Sequence, residues 1–353
     1  ITCRDWSSDV CSSDLPAWAR RERPILINNW EATYFDFDTD KLLAIAKKAS
    51  ATGVELFVLD DGWFGQRDND HAGLGDWYVN EKKLPGGLKR LSDGVHELGM
   101  RFGLWFEPEM VSPDSDLYRA HPDWCLHLDG RDRSQGRNQL VLDLTRAEVR
   151  AEITNRVRLV LSSVQIDYVK WDMNRPLSHA GSPGGDSRFA QGELRHRQML
   201  GVYAMMRELT EAFPDILFEG CSGGGGRMDY GILHFMPQYW ASDNTDALAR
   251  LGIQYSTSVF FPPLAMGCHV SAVPNHQTGR ALPLRSRGFV AMSGNLGFEL
   301  DVTKMTAQET RRMTADIAWY KTNRGLLQFG RFVRLASPWD SNEAAWMFAE
   351  PDG

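Results

Sequence analysis

The segment from Lys170 to Arg175, read KWDMNR, places a carboxylate between a lysine, an indole and an amide. It follows a hydrophobic run at residues 166–169 that is typical of a strand. A carboxylate is costly to desolvate unless its neighbours hold it, and one held in this way can attack a sugar as a nucleophile. We therefore predict that Asp172 is a nucleophile, that the charge of Lys170 keeps it ionised, and that Asn174 binds a sugar hydroxyl.

Asp243, in the segment read WASDNTD, is the predicted partner of this nucleophile. Hydrolysis of a glycosidic bond with retention needs two carboxyl groups about 5 Å apart, one that attacks the anomeric carbon and one that protonates the departing oxygen. Trp240 can wall the site and lower the local dielectric constant, and the nearby charge of Asp172 would raise the pKa of Asp243. Asp243 is therefore predicted to be the general acid and base.

Other carboxylates compete for these roles. Asp246 lies three residues after Asp243, where capping the next turn or helix is the commoner role. Glu107 and Glu109 flank a proline at a predicted strand end, and we expect Glu107 to bond to other side chains around the site. Glu219 precedes a glycine-rich run, and a structural ion pair and a site role are equally compatible with it.

Asp60 and Asp61 form an adjacent acidic pair, and Gly62 permits the turn that would bring both side chains to one site. Two carboxylates can accept hydrogen bonds from vicinal sugar hydroxyls, and the main alternative is a metal site with oxygen ligands. Nothing nearby completes a metal cage, and the nine histidines form no HxxxH or HxH pair. The pair therefore predicts sugar binding, with no metal and no cofactor.

The run read CSGGGGR, at residues 221–227, lacks the lysine and the serine or threonine of a P-loop. We interpret its glycines, Gly224 among them, as positions where the backbone approaches a compact ligand, with Cys221 as a small side chain in the pocket wall. Arg137 can donate a fork of hydrogen bonds to sugar hydroxyls, but a surface arginine fits equally well.

The composition favours a globular protein that acts on a neutral small molecule. The chain of 353 residues is 42% hydrophobic, enough to fill a large core, and its formal charge is -7. A net negative charge of this size does not favour binding to nucleic acid or to an anionic membrane surface. No apolar run is long enough to predict a membrane span, and no secretory signal is visible.

The first 15 residues have a sequence that indicates a different origin from the rest of the chain. Residues 5–15, read DWSSDVCSSDL, resemble the translation of a sequencing-library adapter, so we interpret residues 1–15 as a non-native tail; the alternative is a disordered polar leader. Outside this region the cysteines are Cys125, Cys221 and Cys268, an odd and widely spaced set. Such a set predicts free thiols in a reducing compartment, the cytoplasm by default.

Short β-rich runs alternate with helical stretches along the chain, which predicts a parallel sheet or a barrel rather than a sandwich. Eight candidate strands would complete a ring, and in a barrel of eight strands the site lies at the carboxyl ends of the strands. The predicted strands cover residues 25–29, 55–60, 101–107, 166–171, 216–220, 238–242, 264–271 and 295–301. The predicted helices cover residues 39–51, 88–98, 146–162 and 192–213. Residues 108–144 are expected to form a lid or rim that includes an extended run at 140–144, and residues 178–187 resemble a linker.

With these motifs in place, the chain resembles the catalytic domain of an α-galactosidase of glycoside hydrolase family 36. The signatures KWDMNR, DDGWF, CSGGGGR and SDNTD of that family occur here, and the similarity runs over residues 24–334. The resemblance implies a (β/α)8 barrel at residues 16–328, a retaining mechanism through a covalent galactosyl-enzyme, and substrates such as melibiose or raffinose. From residue 329 onward, aromatic and β-prone runs predict the first strands of a separate C-terminal β domain, at residues 329–353, that is cut short.

The resemblance assigns roles to individual residues. The nucleophile of the family falls on Asp172 and its acid and base on Asp243. Its galactose-binding positions fall on Trp30, Asp60, Asp61, Arg137, Lys170, Asn174, Cys221, Gly224 and Trp240, and Trp105 at the third strand end completes the predicted set. Members of the family usually carry an N-terminal β-sandwich domain that helps them to oligomerise. Its absence here predicts poor folding or weak activity, and a homo-oligomer for the full-length protein.

Three alternatives remain open. The covalent intermediate can be intercepted by a sugar instead of water, as in the plant raffinose-type synthases that resemble this family. An N-acetylated galactose can replace galactose if there is more room around Cys221. A catalytically dead barrel that binds carbohydrate would keep the aromatic residues and lose one carboxylate, whereas Asp172 and Asp243 are both present.

Overall fold

The computed structural model describes residues 17–178, 180–184 and 191–350. In these residues eight parallel strands close into a barrel in the order β1-β10-β9-β8-β7-β6-β3-β2. The strands of the described chain are β1 Leu26–Asn28, β2 Leu56–Leu59, β3 Arg101–Phe106, β4 Met110–Val111, β5 Leu140–Val141, β6 Tyr168–Trp171, β7 Leu217–Gly220, β8 Gln238–Trp240, β9 Met266–Ser271, β10 Asn295–Glu299, β11 Arg331–Ala336 and β12 Ala345–Ala349. The predicted fold class is confirmed, and each predicted barrel strand lies within two residues of an observed one.

The barrel is apolar inside at the amino ends of its strands and polar at their carboxyl ends. In β2, Leu56 and Val58 point into an inner cluster with residues of the neighbouring strands, whereas Phe57 and Leu59 pack outward against the helices. Because side chains alternate along a strand, the next inward position after Val58 is Asp60. The same step of two leads from Leu26 to Asn28, from Tyr168 to Lys170 and Asp172, and from Leu217 to Glu219 and Cys221. The strand pattern itself therefore gathers polar groups at one end of the barrel.

Helices surround the barrel, and the four predicted ones are confirmed to within two residues. The helices longer than one turn are Thr39–Ser50, Gly87–Glu97, Asp116–Ala120, Ala147–Ser163, Leu194–Ala212, Tyr230–Phe235, Ala247–Thr257, Leu284–Ala291 and Ala307–Phe329, in the described residues. The last of these begins with a capping box, in which Thr306 and Glu309 exchange hydrogen bonds. No helix in the described part of the chain has both the length and the apolar character needed to cross a membrane.

Two smaller sheets lie outside the barrel. In the insertion between β3 and β6, β4 pairs antiparallel with β5, which contains the start of the predicted extended run. This insertion forms a rim, because its Gln139 and Arg137 contact residues at the carboxyl ends of β3 and β6. At the C-terminal end, β11 and β12 form an antiparallel pair, as the aromatic and β-prone runs predict. The predicted linker at residues 178–187 lies partly outside the described residues.

Candidate active site

Lys170 and Asp60 form a buried ion pair at the centre of the polar end. Lys170 Nζ donates to Asp60 Oδ2 at 2.9 Å, and Asn28 Nδ2 donates to the same oxygen. Burial lowers the pKa of Lys170, but the charge of Asp60 outweighs it, so the pKa lies well above its usual value. The ammonium group of Lys170 bonds to Asp60, and its interaction with Asp172 is electrostatic, so the role of its charge in keeping Asp172 ionised stays a prediction.

Asp172 is buried and held by N–H groups. Its Oδ2 accepts from Trp105 Nε1 at 3.1 Å and from Asn174 Nδ2 at 2.7 Å, while its Oδ1 accepts from the backbone N–H of Met173 at 2.8 Å and of Gly223 at 3.4 Å. An ionised carboxylate can only accept hydrogen bonds, and four donors match that state. The arrangement suits a fixed nucleophile.

The insertion supports Asn174 from behind. Arg137 Nη1 donates to Asn174 Oδ1 at 2.7 Å, and Glu107 Oε1 accepts from the backbone N–H of Asn174 and from Gln139 Nε2, the latter at 2.6 Å. Arg137 and Asn138 have φ of 51° and 61°, and the N–H and C=O groups of Gly136 and Gln139 bond to each other at 3.2 Å. This is the geometry of a tight hairpin turn of type I′. It delivers Arg137 and Gln139 to the same side of Asp172.

Glu107 bonds to other residues around the site, as predicted, and Glu109, for which no role was predicted, does the same. Burial, followed by the charge of Asp172, raises the pKa of Glu107 to about 8. Glu109 accepts from Trp171 Nε1 at 2.9 Å and pairs with both terminal nitrogens of Arg227 at 2.8 and 2.6 Å. Both carboxylates are thus occupied by protein donors.

Asp243 has a different environment from Asp172. Trp240 Nε1 donates to Asp243 Oδ1 at 3.1 Å, and burial, followed by the charge of Asp172, raises the pKa of Asp243. The predicted effect of Asp172 on this pKa is thus present in the structure. The ring of Trp240 lies between the guanidinium of Arg250, 4.1 Å from its centroid, and the ring of His269, at 4.2 Å.

The loop that carries Asp243 is held by neighbours that sequence reasoning missed. Arg250 donates to the carbonyl oxygens of Ser242 and Asn244, on either side of Asp243. Thr245 Oγ1 donates to Glu31 Oε1 at 2.7 Å, which ties the loop to the end of β1. The signal for Glu31 was available, since it directly follows Trp30 at a strand end.

Asp246 caps the helix Ala247–Thr257 by accepting from the backbone N–H of Ala249 at 3.3 Å. The predicted capping role of Asp246 is confirmed. Glu219, for which the sequence left two roles open, accepts from Gln238 Nε2 deep in the barrel, a structural contact rather than an ion pair.

The glycine-rich loop contacts both halves of the site. Gly223 donates to Asp172, and Gly224 forms a bridge with Ser242. Gly224 has a φ of +82°, and a Cβ there would lie 2.6 Å from the backbone nitrogen of Asp243. Only glycine allows this approach without displacement. Cys221 is fully buried, and this burial raises the pKa of its thiol well above the usual value.

Asp61 and Trp30 complete the predicted set. Asp61 is paired with Arg67, whose Nε lies 3.0 Å from Oδ1 and whose Nη2 lies 2.8 Å from Oδ2, so this arginine is a neighbour that sequence reasoning missed. Burial raises the pKa of Asp61. Trp30 begins a short helix after β1 and packs edge to face with Tyr34 and Phe35. Among the described residues, no group of acidic, histidine and cysteine side chains could hold a metal ion.

Comparison with known proteins gives consistent matches. The Melibiase family model matches residues 11–330. The α-galactosidase AgaA of Geobacillus stearothermophilus is 60% identical over 336 residues, which are 95% of this chain and 46% of that protein. The α-galactosidase Mel36A of Lactobacillus acidophilus is 52% identical over 93% of this chain and 44% of its own length.

Solved structures agree with these matches. The crystal structure of the GH36 α-galactosidase AgaA from Geobacillus stearothermophilus has a TM-score of 0.94 at 59% identity, over 96% of this chain and 47% of that one. Variants of AgaA have been solved in complex with raffinose and with stachyose, at TM-scores of 0.94 and 0.93. The chain spans a little under half the length of these relatives.

Proposed function

The chain belongs to the melibiase family, within glycoside hydrolase family 36, and from this premise we propose that it is a retaining α-galactosidase. Its substrates are terminal α-linked galactosides such as melibiose and raffinose. The observation that carries the proposal is the contrast between the two carboxyl groups at the same end of the barrel. Asp172 has four N–H donors, whereas burial and the charge of Asp172 raise the pKa of Asp243.

The reaction proceeds in two steps. In the first, an oxygen of Asp172 attacks the anomeric carbon, the bond to the glycosidic oxygen breaks, and the proton of Asp243 goes to that oxygen. In the second, Asp243 takes a proton from water, the water oxygen attacks the same carbon, and the ester to Asp172 breaks. Galactose leaves with its original anomeric configuration, and both carboxyl groups return to their starting states.

Substrate binding uses the polar end of the barrel. The Lys170–Asp60 pair offers a donor and an acceptor to adjacent hydroxyls, and Asp61, Arg137 and Asn174 add further ones. Trp30, Trp105 and Trp240 supply apolar walls, and the backbone at Cys221 and Gly224 allows a close approach. AgaA variants bind raffinose and stachyose, which supports a galactoside as the ligand of this chain.

The proposal extends to the location, the domain organisation and the oligomeric state of the protein. Three buried free thiols, at Cys125, Cys221 and Cys268, support a cytoplasmic location. Residues 16–328 are the catalytic unit, and residues 329–353 belong to a C-terminal β domain. The whole protein forms a homo-oligomer. A monomer in sedimentation analysis of the whole protein would contradict this last point.

The test is the Asp172→Ala variant with and without sodium azide, assayed on an aryl α-galactoside. Without azide, the rate is expected to fall by at least about four orders of magnitude. With azide, the small anion occupies the space left by the carboxylate and attacks directly, so the product is β-galactosyl azide. An active Asp172→Ala variant, or a wild-type protein that does not cleave α-galactosides, would refute the proposal.

The wild type is measured in two contexts, because the chain spans less than half the length of its relatives. One is the 353-residue chain, and the other is a chimera in which residues 24–334 replace the matching region of the Geobacillus enzyme. Loss of activity in both contexts, with the chimera folded, would count against the assignment itself.

A further inference from the structure

Tyr34 combines an exposed aromatic ring with an unusual backbone conformation. Its φ is 46° and its ψ is −126°, and its exposed fraction is 43%. Bulky side chains seldom adopt positive φ, because the Cβ then crowds the backbone. Such strain persists only where neighbours impose it, and it clusters at ligand sites. Folding alone does not require a tyrosine here, since glycine would fit the backbone better.

Neighbouring groups hold Tyr34 in this conformation. Its backbone N–H donates to the carbonyl of Trp30 at 2.7 Å, and Thr33 Oγ1 donates to its carbonyl at 3.2 Å. Asn29 Nδ2 in turn donates to Thr33 Oγ1 at 2.8 Å. As a result the ring of Tyr34 stands edge to face against Trp30, with centroids 5.2 Å apart and an interplanar angle of 80°. The two rings form a fixed aromatic pair at the end of β1.

This aromatic pair lies on the side of the site where the leaving group must emerge. A general acid has to reach the departing oxygen, so the leaving group lies next to Asp243. Glu31, in the same short helix as Trp30, accepts from Thr245, two residues after Asp243. The helix is therefore anchored to the acid-bearing loop. Burial, then the charges of Glu31 and Glu299, raise the pKa of Tyr34, which is consistent with a phenol facing these carboxylates at the barrel mouth.

We propose that Tyr34, held against Trp30, is a binding subsite for the leaving sugar, a neutral hexose on the acid side of the site. This subsite rests on the proposed function and adds a position to it, because Trp30 is expected to contact the galactosyl unit and Tyr34 the unit beyond it. An aromatic ring that is fixed before binding offers its face to the C–H groups of a pyranose at little entropic cost. The subsite therefore favours oligosaccharides over galactosides with small leaving groups.

The experiment compares two substrates that share galactose and differ in the leaving group. Melibiose has a leaving hexose, whereas α-galactosyl fluoride has none and needs little help from an acid. In Tyr34→Ala, kcat/KM for melibiose is expected to fall about tenfold, which corresponds to about 1.4 kcal/mol, while the value for the fluoride changes less than twofold. Tyr34→Phe keeps the ring and should keep both values.

Two further variants separate binding from folding. Tyr34→Gly suits the positive φ, so it should unfold at the same temperature as the wild type or higher and still lose the preference for melibiose. Trp319→Ala removes another exposed aromatic ring, from the outer helix Ala307–Phe329, and it should leave the substrate preference unchanged. Affinities for melibiose and galactose, measured by calorimetry in an Asp172→Asn background, give the same comparison without turnover.

These measurements test the subsite and the proposed function separately. Equal losses on melibiose and fluoride in Tyr34→Ala, or no loss on either, would overturn the subsite and leave the α-galactosidase assignment intact. Failure of the wild-type chimera to hydrolyse the fluoride would instead remove the assignment, and the subsite with it.

Discussion

The two sides of the site hold their carboxyl groups in opposite ways. On the nucleophile side, named for its proposed role, Asp172 is buried and accepts from four N–H groups. On the acid side, also named for its proposed role, the partly buried Asp243 accepts from Trp240 Nε1, the one donor to its carboxyl group among the described residues. A nucleophile must be charged before it reacts, whereas an acid must keep a proton. The number of donors around each group matches its chemical task.

The residues that support the two sides of the site also come from different parts of the fold. Asn174, next to the nucleophile, depends on the insertion, which contributes Arg137 and Gln139. The acid-bearing loop depends on the barrel itself, through Arg250 in the helix after β8 and Glu31 after β1. Changes in the insertion should therefore affect every substrate alike, whereas changes on the acid side should matter most for substrates that need protonation of the leaving group.

The largest effect that tests this comparison is expected for Asp243→Ala. On melibiose, loss of the general acid should lower kcat/KM by about 10² to 10⁴-fold. α-Galactosyl fluoride needs little acid, so its first step should remain fast and the galactosyl-enzyme should accumulate as a burst. Azide needs no base, and it should restore turnover and yield α-galactosyl azide. Equal losses on both substrates would show that Asp243 is not the acid.

The next largest effect is expected for Gly224→Ala. A Cβ at this position would lie 2.6 Å from the nitrogen of Asp243 and from Cα of Ser242, so the acid-bearing loop must shift. A misplacement of about 1 Å can cost about 10²-fold in rate. Melibiose hydrolysis should fall by that order and fluoride hydrolysis by much less, as measured by kcat/KM.

Gly223→Ala is the matched control for Gly224→Ala. Its φ is also positive, at +52°, but the nearest atom to an added Cβ is Asn174 Oδ1 at 3.9 Å. It carries the backbone cost of about 1–2 kcal/mol that any L-residue has at such a φ, including any effect on the N–H that donates to Asp172, but no clash with the acid-bearing loop. If the two variants lose equal activity, the clash with the acid-bearing loop is not what matters.

Most of the barrel and most of the site residues could be predicted from the sequence, because both follow from patterns within short segments of the chain. The strands are short apolar runs, and a period of two carries Val58 to Asp60 and Tyr168 to Lys170, so the site residues follow from the strands. Asp246 was identified as a cap because its position before a helix has a sequence signature.

What the sequence did not predict depends on contacts between distant segments. Lys170 bonds to Asp60, 110 positions away, because both side chains point into the barrel from the ends of β6 and β2, which only β3 separates. Glu31 meets Thr245 over a separation of 214 residues, and Arg67 meets Asp61 through the turn after β2. Spacing along the chain cannot indicate which of several charged partners lies nearest in a closed barrel.

A smaller effect is expected in the turn of the insertion. Arg137→Gly relieves a positive φ but removes the hydrogen bond to Asn174, so kcat/KM should fall about tenfold or more on melibiose and fluoride alike. Asn138→Gly, at a φ of 61°, relieves a similar conformation without removing a recorded side-chain contact to the site, and kcat/KM should change less than twofold. A loss confined to melibiose in Arg137→Gly would contradict its placement on the nucleophile side.

The smallest effects are expected from a pair of glutamates, one on each side. Burial, and after it the charge of Asp172, raises the pKa of Glu107 to about 8. Burial, and after it the charge of Glu299, raises the pKa of Glu31 to about 8. Between pH 4.5, the usual value, and about pH 8, the folded protein binds more protons at these groups than the unfolded chain does. The free energy of unfolding therefore falls as pH rises through that window and levels off above it.

Glu107→Gln and Glu31→Gln should each remove part of this slope, because glutamine stays neutral. The thermal unfolding midpoint of each variant, measured relative to that of the wild type, should therefore increase as the pH rises from 5 to 9. At pH 6, where the glutamates are already protonated, glutamine is a close mimic, so rate losses should stay within about threefold. Glu107→Gln should affect melibiose and fluoride alike, since it acts through Asn174, whereas Glu31→Gln should affect mainly melibiose, since it acts through Thr245. If both variants show the same substrate dependence, the two sides are not supported independently, and the division of the site drawn from its hydrogen bonds is wrong.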